Sequence, residues 1–440
     1  MLPAWILEIL NILTCRAFAA PFIASQLCTL LALWSVWKLG RTVLDERLAL
    51  IGVFSVLPYR FFTTVSISYN HNNVLIAFWC WSIYLVFQAF QTNKKRYWIS
   101  AGIALGLAFH AKYSAVFLVL SILAYMFTKK KERQYFRTPG PYLTTLIAFL
   151  IFLPHIFWLF SHDFAPLAYA QNPLTTILTH WYQRVLLPFN FAASQVVLLI
   201  PTIIIVIPVI GFVWHWKPQH REQGQARECE QFLFYCFMIP LVCHMLYSAV
   251  GGVYIRTTYG APFWVFGGLW LLLRSQETKE TLHRFRRVVL LMSAIQLILI
   301  TRFFVTFYLG QQYYYEYLPM HRLGVTCDQL WQKHASGNCP YIATIGSGNQ
   351  PGELARCAAC AMQVRPSVIL WSGYWADDDD LNQKGGLLVW ERTSDENVLP
   401  EKLRQRFPKA ELLPEAPELP YKAGVKNRIL KLGIAIVPPP

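Results

Sequence analysis

Charged residues are scarce in this sequence. Only 14% of the 440 residues are Asp, Glu, Lys or Arg, whereas soluble domains carry about a quarter. Hydrophobic residues reach 55% and aromatic residues 15%, and aromatic side chains concentrate at the faces of membranes. The composition excludes an ordinary soluble protein and predicts that much of the chain lies in lipid.

Acidic residues are scarcer than basic ones, which leaves a net charge of +15. The two signs cancel over residues 310–440, with 14 of each, so the excess lies in the apolar part, between hydrophobic runs. We interpret it as a topology signal, in which Lys and Arg stay on the cytoplasmic side. A nucleic-acid partner is not expected.

Several functional patterns are missing. We find no cleavable signal sequence, internal repeat or phosphate-binding glycine loop, and Gly346-Ser-Gly348 is isolated. The pair Cys357 and Cys360 lacks the His pattern of a zinc site, and Asp377 to Asp380 lacks the spacing of a calcium loop and is predicted to be a solvated loop. No metal and no cofactor are expected.

The ten cysteines fall into two groups. Those in the polar tail would be free to form disulfides in a periplasmic domain: Cys327, Cys339, Cys357 and Cys360. The others lie in or beside apolar runs and are predicted to be small core residues: Cys15, Cys28, Cys80, Cys229, Cys236 and Cys243.

Ten apolar runs approach membrane length: 17–37, 48–66, 73–90, 99–110, 114–128, 142–160, 195–216, 231–250, 259–273 and 288–309. Basic loops occupy alternate gaps between them, which places both ends of the chain outside the cytoplasm. The prediction is an all-α polytopic bundle of about ten transmembrane helices over residues 1–309.

The tail, residues 310–440, is predicted to be a small periplasmic α/β domain, because short strand patterns alternate with helical ones. The predicted strands are Tyr341–Ile345, Ser367–Trp371, Gly386–Trp390 and Ile429–Val437, and the predicted helices are Gly352–Met362 and Pro400–Phe407.

The most informative stretch lies between Trp98 and Phe127. Two apolar runs flank His110-Ala-Lys112-Tyr113, and basic clusters precede and follow the pair. A single crossing would put one basic cluster on each side of the membrane, whereas two short crossings keep both clusters inside. Lys112 then lies at the far side of the bilayer, where an ammonium can bind a phosphate-linked lipid. The alternative is a lysine that only marks the interface.

Other polar residues lie at the same predicted side, where they are candidates for substrate binding. Asn70, His71 and Asn72 open the third run, although Asn is also a favoured helix cap. His155 follows Pro154 and precedes Asp163, which is the one weak candidate for a catalytic base. Arg256 suits phosphate recognition, although arginine is also an ordinary interfacial anchor. Together these residues predict a site for a lipid-phosphate sugar donor.

Three segments in order carry a family resemblance: SISYNHNNVLIAFWCWSIYLVFQAF, GLAFHAKYSAVFLVL and LPHIFWLFSHDFAPLAYA. They resemble the bacterial members of the dolichyl-phosphate-mannose–protein mannosyltransferase superfamily. These are integral-membrane glycosyltransferases of the GT-C class, related to lipid A aminoarabinose transferases. The resemblance covers residues 3–309 and is looser in the tail.

The resemblance implies an inverting transfer of a hexose or pentose from a polyprenyl-phosphate carrier. The acceptor would be lipid A, another envelope glycan or a protein, on the periplasmic face of the bacterial inner membrane. It further implies that Lys112 contacts the carrier phosphate, with Tyr113 beside it, and that Asn72 stands where many relatives have Asp. His155 and Asp163 match a Pro-His motif and its following loop, whereas Arg256 matches in position only.

One departure from the family is expected to affect activity. Relatives have a further transmembrane helix and an acidic loop before the segment at which this chain begins, so we expect a truncated start that lacks the family's catalytic carboxylate. The catalytic residue is therefore left unassigned. Two alternatives stay open: a catalytically impaired or noncatalytic membrane subunit, and a transporter of lipid-linked sugars.

Overall fold

The computed structural model forms two compact units, Met1–Cys15 with Ala19–Gln296 and Arg16–Phe18 with Leu297–Pro440. It describes residues 2–14, 20–63, 65–66, 69–162, 164, 180–210, 224–274, 286–295, 297–298, 301, 305, 320–335, 341–344, 365–368, 378–392, 396–420 and 429–438.

The first unit is helical. Its α-helices are α1 (Leu2–Leu13), α2 (Ala20–Val43), α3 (Glu46–Phe54), α4 (His71–Thr92), α5 (Lys95–Ala111), α6 (Val116–Thr128), α7 (Lys130–Arg133), α8 (Pro139–Ser161), α9 (Trp181–Ile210), α10 (Gln225–Gly251) and α11 (Gly267–Arg274). Residues 286–295 are helical as well. Short 3₁₀ helices cover Arg60–Phe62, Tyr113–Ala115, Gln134–Arg137 and Thr257–Gly260.

Local chemistry sets several helix ends. The Asp45 carboxylate accepts hydrogen bonds from the backbone N–H groups of Arg47 and Leu48 at 2.8 and 3.1 Å and so caps α3. At the other end of a helix, Asn93 (φ 48°) follows α4 and Gly252 (φ 64°) follows α10. Both adopt the left-handed conformation that ends helices and that Asn and Gly tolerate best.

Five described helices are long and apolar enough to cross a membrane: α2, α4, α8, α9 and α10. A sixth span arises if the helices Tyr113–Thr128 and Lys130–Arg137, bent by 101°, count as one. The expected number of about ten is not reproduced in the described part of the chain.

Two of the expected runs form short helices instead. The run 48–66 contains α3, which has only 9 residues and ends before Pro58, and the run 259–273 contains Pro262 and the 8-residue α11. Proline alone does not account for these breaks, because α8 and α10 continue through Pro154 and Pro240. Apolar composition alone does not reveal these breaks.

Helices α5 and α8 pack closely and run parallel. A Cβ on Gly102 would lie 2.9 Å from Ile147 Cβ, and one on Gly106 would lie 2.9 Å from Ile151 Cβ. Small residues spaced by four let helix backbones approach in this way. Because Gly102 meets Ile147 and Gly106 meets Ile151, the two helices begin at the same end of the bundle.

The helical unit therefore has two chemically distinct ends. At one, which we call the Lys131 end, Lys131 forms a 2.6 Å ion pair with Glu228 of α10, and Gln91 of α4 donates to the same carboxylate at 2.7 Å. At the other, which we call the Lys112 end, α5 stops and the chain turns back into α6. The predicted helix–break–helix around Lys112 is present, with Lys95 and Thr128 at the opposite end from the break.

The second unit contains a mixed sheet of order β2-β1-β3-β6-β4, with β5 pairing β6. Its elements are α12 (Met320–His334), β1 (Tyr341–Thr344), β2 (Arg365–Val368), α13 (Asp378–Lys384), β3 (Gly386–Glu391), α14 (Glu401–Arg406), β4 (Glu411–Leu412), β5 (Glu418–Pro420) and β6 (Ile429–Val437).

The core of this sheet depends on one glycine. Strands β1, β2 and β3 are parallel, and β6 runs antiparallel to β3 with Trp390 opposite Gly433. A Cβ on Gly433 would lie 2.2 Å from the Trp390 ring, so the indole crosses β6 only because Gly433 has no side chain. Trp390 packs in a core with Leu403 and Phe407 of the α14 region.

The sequence predictions for the tail can be compared element by element. Strand β6 covers the predicted residues, whereas β2 begins and ends earlier than the predicted Ser367–Trp371. The predicted loop at Asp377–Asp380 is wrong in part, because residues from Asp378 onward begin α13, in which an acidic first turn is favourable. The predicted helix Gly352–Met362 lies outside the described residues, as do Cys339, Cys357 and Cys360.

A candidate substrate site at the Lys112 end

The break between α5 and α6 positions Lys112. Its N–H still donates to the Ala108 carbonyl at 3.0 Å, but its own backbone is extended (φ −164°, ψ 136°). The 3₁₀ turn Tyr113–Ala115 then redirects the chain into α6. Lys112 thus lies just beyond the C-terminal end of α5, at the break between the two helices.

The Lys112 ammonium contacts two neutral groups. Its Nζ donates to Asn72 Oδ1 at 3.1 Å and lies 4.3 Å from the centroid of the Tyr259 ring. Asn72 lies in the first turn of α4, which Asn70 caps by accepting from the Asn72 N–H at 2.8 Å. Three separate regions of the chain therefore meet at one cation.

No ion pair found among the described residues includes Lys112. Burial lowers the pKa of its amine to about 8, because loss of water disfavours the charged form. Two imidazoles, His71 of α4 and His244 of α10, interact electrostatically with Lys112. An amide oxygen and a ring face stabilise the ammonium without neutralising its charge.

Tyr113 and His155 form a second contact beside Lys112. The Tyr113 hydroxyl lies 2.7 Å from His155 Nε2, and the two rings stack with centroids 5.7 Å apart. His155 is buried and follows Pro154 within α8. Its ring also stacks on Trp158 at 5.6 Å. The pair therefore ties the α5–α6 break to the last turns of α8.

His110, Trp5 and His155 extend this aromatic cluster. His110 Nε2 lies 2.8 Å from the Ile151 carbonyl oxygen, and because a carbonyl only accepts, this nitrogen carries the proton. The His110 ring lies 5.2 Å from Trp5 of α1 and 5.7 Å from His155. Helix α1 is also held there by the Tyr69 hydroxyl, which donates to the Pro3 carbonyl at 2.8 Å.

Arg256 directly precedes the 3₁₀ turn Thr257–Gly260. It is exposed and precedes the turn, and its carbonyl accepts a hydrogen bond from the Tyr259 N–H at 3.0 Å. Arg256 is therefore three residues away from Tyr259, whose ring contacts Lys112.

The structure brings most of the residues predicted from sequence to one end of the bundle. Asn72 contacts Lys112, Tyr113 contacts His155, and Asn70 acts as a helix cap. Asp163 lies outside the described residues.

Sequence reasoning missed three residues of this region: Tyr259, His244 and Gln195. Tyr259 lies three positions after Arg256, but no local signal places its ring beside Lys112. His244 and Gln195 lie inside apolar helices, and only the folded arrangement reveals their positions.

Residues 1–158 match the family model described as "Dolichyl-phosphate-mannose-protein mannosyltransferase". The resemblance to this family is confirmed over that segment. No curated protein sequence matches the chain.

Comparison with solved structures identifies the fold. The crystal structure of ArnT from Cupriavidus metallidurans bound to undecaprenyl phosphate matches with a TM-score of 0.57 and 12% identity, covering 99% of this chain and 87% of that one. The apo state of the same protein matches with a TM-score of 0.44, 9% identity and the same coverage. An oligosaccharyltransferase from Archaeoglobus fulgidus, tethered to an acceptor peptide, has a TM-score of 0.40 and 14% identity over 87% of this chain and 56% of that one.

The chain has an ArnT-like fold that is mostly helical and contains several apolar helices of membrane length. The family match and this fold support a multi-pass membrane glycosyltransferase of the GT-C type.

Proposed function

We propose that this protein transfers a sugar from a polyprenyl-phosphate carrier to an envelope acceptor at the Lys112 end of its helical unit. The observation that carries the proposal is the Lys112 ammonium, held by Asn72 and Tyr259 without an anionic partner among the described residues. A carrier phosphate would supply the missing negative charge through a charge-assisted hydrogen bond. The undecaprenyl phosphate in the matching ArnT structure is a ligand of this chemical class.

The neighbouring side chains take roles that follow from their positions. Arg256 would approach the phosphate from the 3₁₀ turn, because a guanidinium can bind two phosphate oxygens at once. Tyr113 and His155 would form one wall of the sugar pocket, with a hydroxyl and an imidazole able to bind sugar hydroxyl groups. Asn70 and His71 would line its α4 side. The catalytic base is left unassigned.

The charge distribution supports a periplasmic site in the bacterial inner membrane. Helices α5 and α8 both run from the lysine-rich Lys131 end to the Lys112 end, and Lys and Arg favour the cytoplasmic side. Residues 310–440 would form a periplasmic domain. Lipid A, another envelope glycan and a protein are all compatible acceptors.

The test is transfer of a radiolabelled sugar from undecaprenyl phosphate to envelope material by membranes that contain the full chain. We expect transfer by the wild type and its loss in Lys112→Ala. Lys95→Ala is the matched control, because Lys95 lies at the opposite end of α5. Absence of transfer with retained binding of undecaprenyl phosphate would instead identify a noncatalytic subunit. Movement of intact lipid-linked sugar across vesicles would identify a transporter.

A further inference from the structure

The turn that carries Tyr259 is held by a buried side chain from another helix. Gln195 of α9 is fully buried, and its Nε2 donates to the Thr257 carbonyl oxygen at 3.2 Å and to the Ser194 hydroxyl at 3.3 Å. Thr257 begins the turn, and Tyr259 lies two residues later. Gln195 thus links α9 to the ring that contacts Lys112.

The orientation of the Gln195 carboxamide follows from this bond. Because a carbonyl oxygen only accepts, the NH₂ group must face Thr257, and the amide oxygen then faces Gly260. That oxygen is buried and has no hydrogen-bond partner among the described residues. Leaving a buried oxygen without a hydrogen bond is unfavourable, so this orientation of the carboxamide is kept at a cost in stability.

Gly260 provides the surface against which the carboxamide packs. The three atoms nearest to a Cβ at Gly260 all belong to Gln195: Oε1 at 2.0 Å, Cδ at 2.4 Å and Nε2 at 2.9 Å. Gly260 does not adopt the left-handed conformation, so its backbone would accept alanine. The Gln195 side chain is therefore the obstacle to a larger residue at this position.

We propose that Gln195 is a positioning residue, which holds the Thr257–Gly260 turn so that Tyr259 presents its ring face to the Lys112 ammonium. The attraction between a cation and a ring requires the cation to stay within about 6 Å of the ring centroid, over its face. A displaced turn would weaken this contact. The consequence for donor binding rests on the proposed function, whereas the placement of Tyr259 against Lys112 does not.

Three substitutions distinguish the hydrogen bond to Thr257 from the packing of the carboxamide against Gly260. Gln195→Ala removes the hydrogen bond to Thr257, and Gln195→Met removes it while keeping the side-chain volume. Gly260→Ala places a methyl group against the Gln195 carboxamide, so the carboxamide or the turn must shift and the hydrogen bond to Thr257 is disturbed. Gly251→Ala is the matched control, because a Cβ there meets its nearest atoms at 3.7 Å, an ordinary contact.

The first measurement uses no donor. The purified full chain in detergent is treated with an N-hydroxysuccinimide ester at a series of pH values, and acylation of Lys112 is quantified by mass spectrometry. Only the neutral amine reacts, so the rate reports the charge state and the surroundings of Lys112, and displacing the ring should change the rate at pH 7 by about two- to threefold. We expect this change in Gln195→Ala, Gln195→Met and Gly260→Ala, and wild-type rates in Gly251→Ala.

The double variant Gln195→Ala/Gly260→Ala gives the sharpest result. Without the carboxamide there is nothing for the new methyl group to displace, so its Lys112 rate should equal that of Gln195→Ala alone. Unchanged Lys112 rates in Gln195→Met and Gly260→Ala, with thermal midpoints equal to that of the wild type, would overturn the proposal. Additive effects in the double variant would also contradict it.

A second measurement relates this inference to the proposed function. The dissociation constant for undecaprenyl phosphate should rise about two- to fivefold in Gln195→Met. If the wild type does not bind undecaprenyl phosphate while the Lys112 rates change as expected, the proposed function fails and the positioning role stands. If binding occurs and the Lys112 rates do not change, the positioning role fails alone.

Discussion

The Tyr113 hydroxyl and His155 Nε2 lie 2.7 Å apart, although 42 positions separate the two residues in sequence. This contact joins the break between α5 and α6 to the last turns of α8. The contribution of this contact to stability can therefore be measured by changing the two residues.

A double-mutant cycle on Tyr113→Phe and His155→Phe should give a coupling energy of about 0.5–1.5 kcal/mol, the usual contribution of a hydrogen bond to stability. The measurement is the free energy of unfolding in mixed detergent micelles. Coupling near zero would mean that the two rings are held independently by their other neighbours.

Replacing Lys112 with alanine should weaken binding of undecaprenyl phosphate by about 10- to 150-fold, because a charge-assisted hydrogen bond contributes about 1.5–3 kcal/mol. Lys112→Arg should retain most of the affinity, since it keeps the charge. Titration calorimetry in detergent provides the measurement, with Lys95→Ala as the control. Equal affinities in Lys112→Ala and Lys95→Ala would return Lys112 to the role of an interfacial anchor.

Donor affinity should depend on pH in the alkaline range. Because burial lowers the pKa of Lys112 to about 8, the ammonium persists below this value and is lost as the pH rises through it. Binding of undecaprenyl phosphate should accordingly weaken between about pH 7.5 and 9.5. In Lys112→Arg the guanidinium stays charged, so a decline of the same size in that variant would contradict this assignment.

The contact between α5 and α8 should be intolerant of bulk. Gly106→Leu places new atoms where Ile151 Cβ would already lie 2.9 Å from a Cβ, and overpacking of this kind costs about 1–3 kcal/mol. We expect a lower midpoint of thermal unfolding and weaker donor binding, because α5 carries Lys112. Ile103→Leu is the control on the same helix, since Ile103 is exposed.

Topology can be tested with single introduced cysteines. Tyr254 is exposed near the Lys112 end and Arg133 near the Lys131 end. A membrane-impermeant maleimide added to intact cells with a permeable outer membrane should label Tyr254→Cys and spare Arg133→Cys, relative to the wild type. The reverse pattern would place Lys112 in the cytoplasm and eliminate the proposed site.

Local patterns predicted some of these features well. The break at Lys112 could be predicted because its signals lie close together in sequence. Basic clusters precede and follow the apolar stretch, and polar residues interrupt its middle. Strand β6 could be predicted because its apolar run is long. Strands β4 and β5 have 2 and 3 residues, too few for a periodic pattern.

Features that depend on distant neighbours were not accessible to the same reasoning. Tyr259 lies 147 positions after Lys112, and no local signal places its ring over an ammonium. The same holds for Gln195, whose polar side chain lies within an apolar helix and acquires its role only through Thr257 and Gly260. The runs that contain Pro58 and Pro262 are mostly apolar, so their composition predicts spans, whereas the structure forms only short helices there.

The helices on either side of Lys112 are short, with 17 residues in α5 and 13 in α6. At about 1.5 Å per residue they extend roughly 26 and 20 Å, less than the hydrocarbon thickness of about 30 Å. Where so short a hairpin faces lipid, local thinning of the bilayer is one way to match it. Lipid headgroups beside α5 and α6 would then lie closer to the middle of the membrane. A long-chain lipid that diffuses laterally to the protein would reach the Lys112 ammonium while its phosphate stays in the headgroup layer.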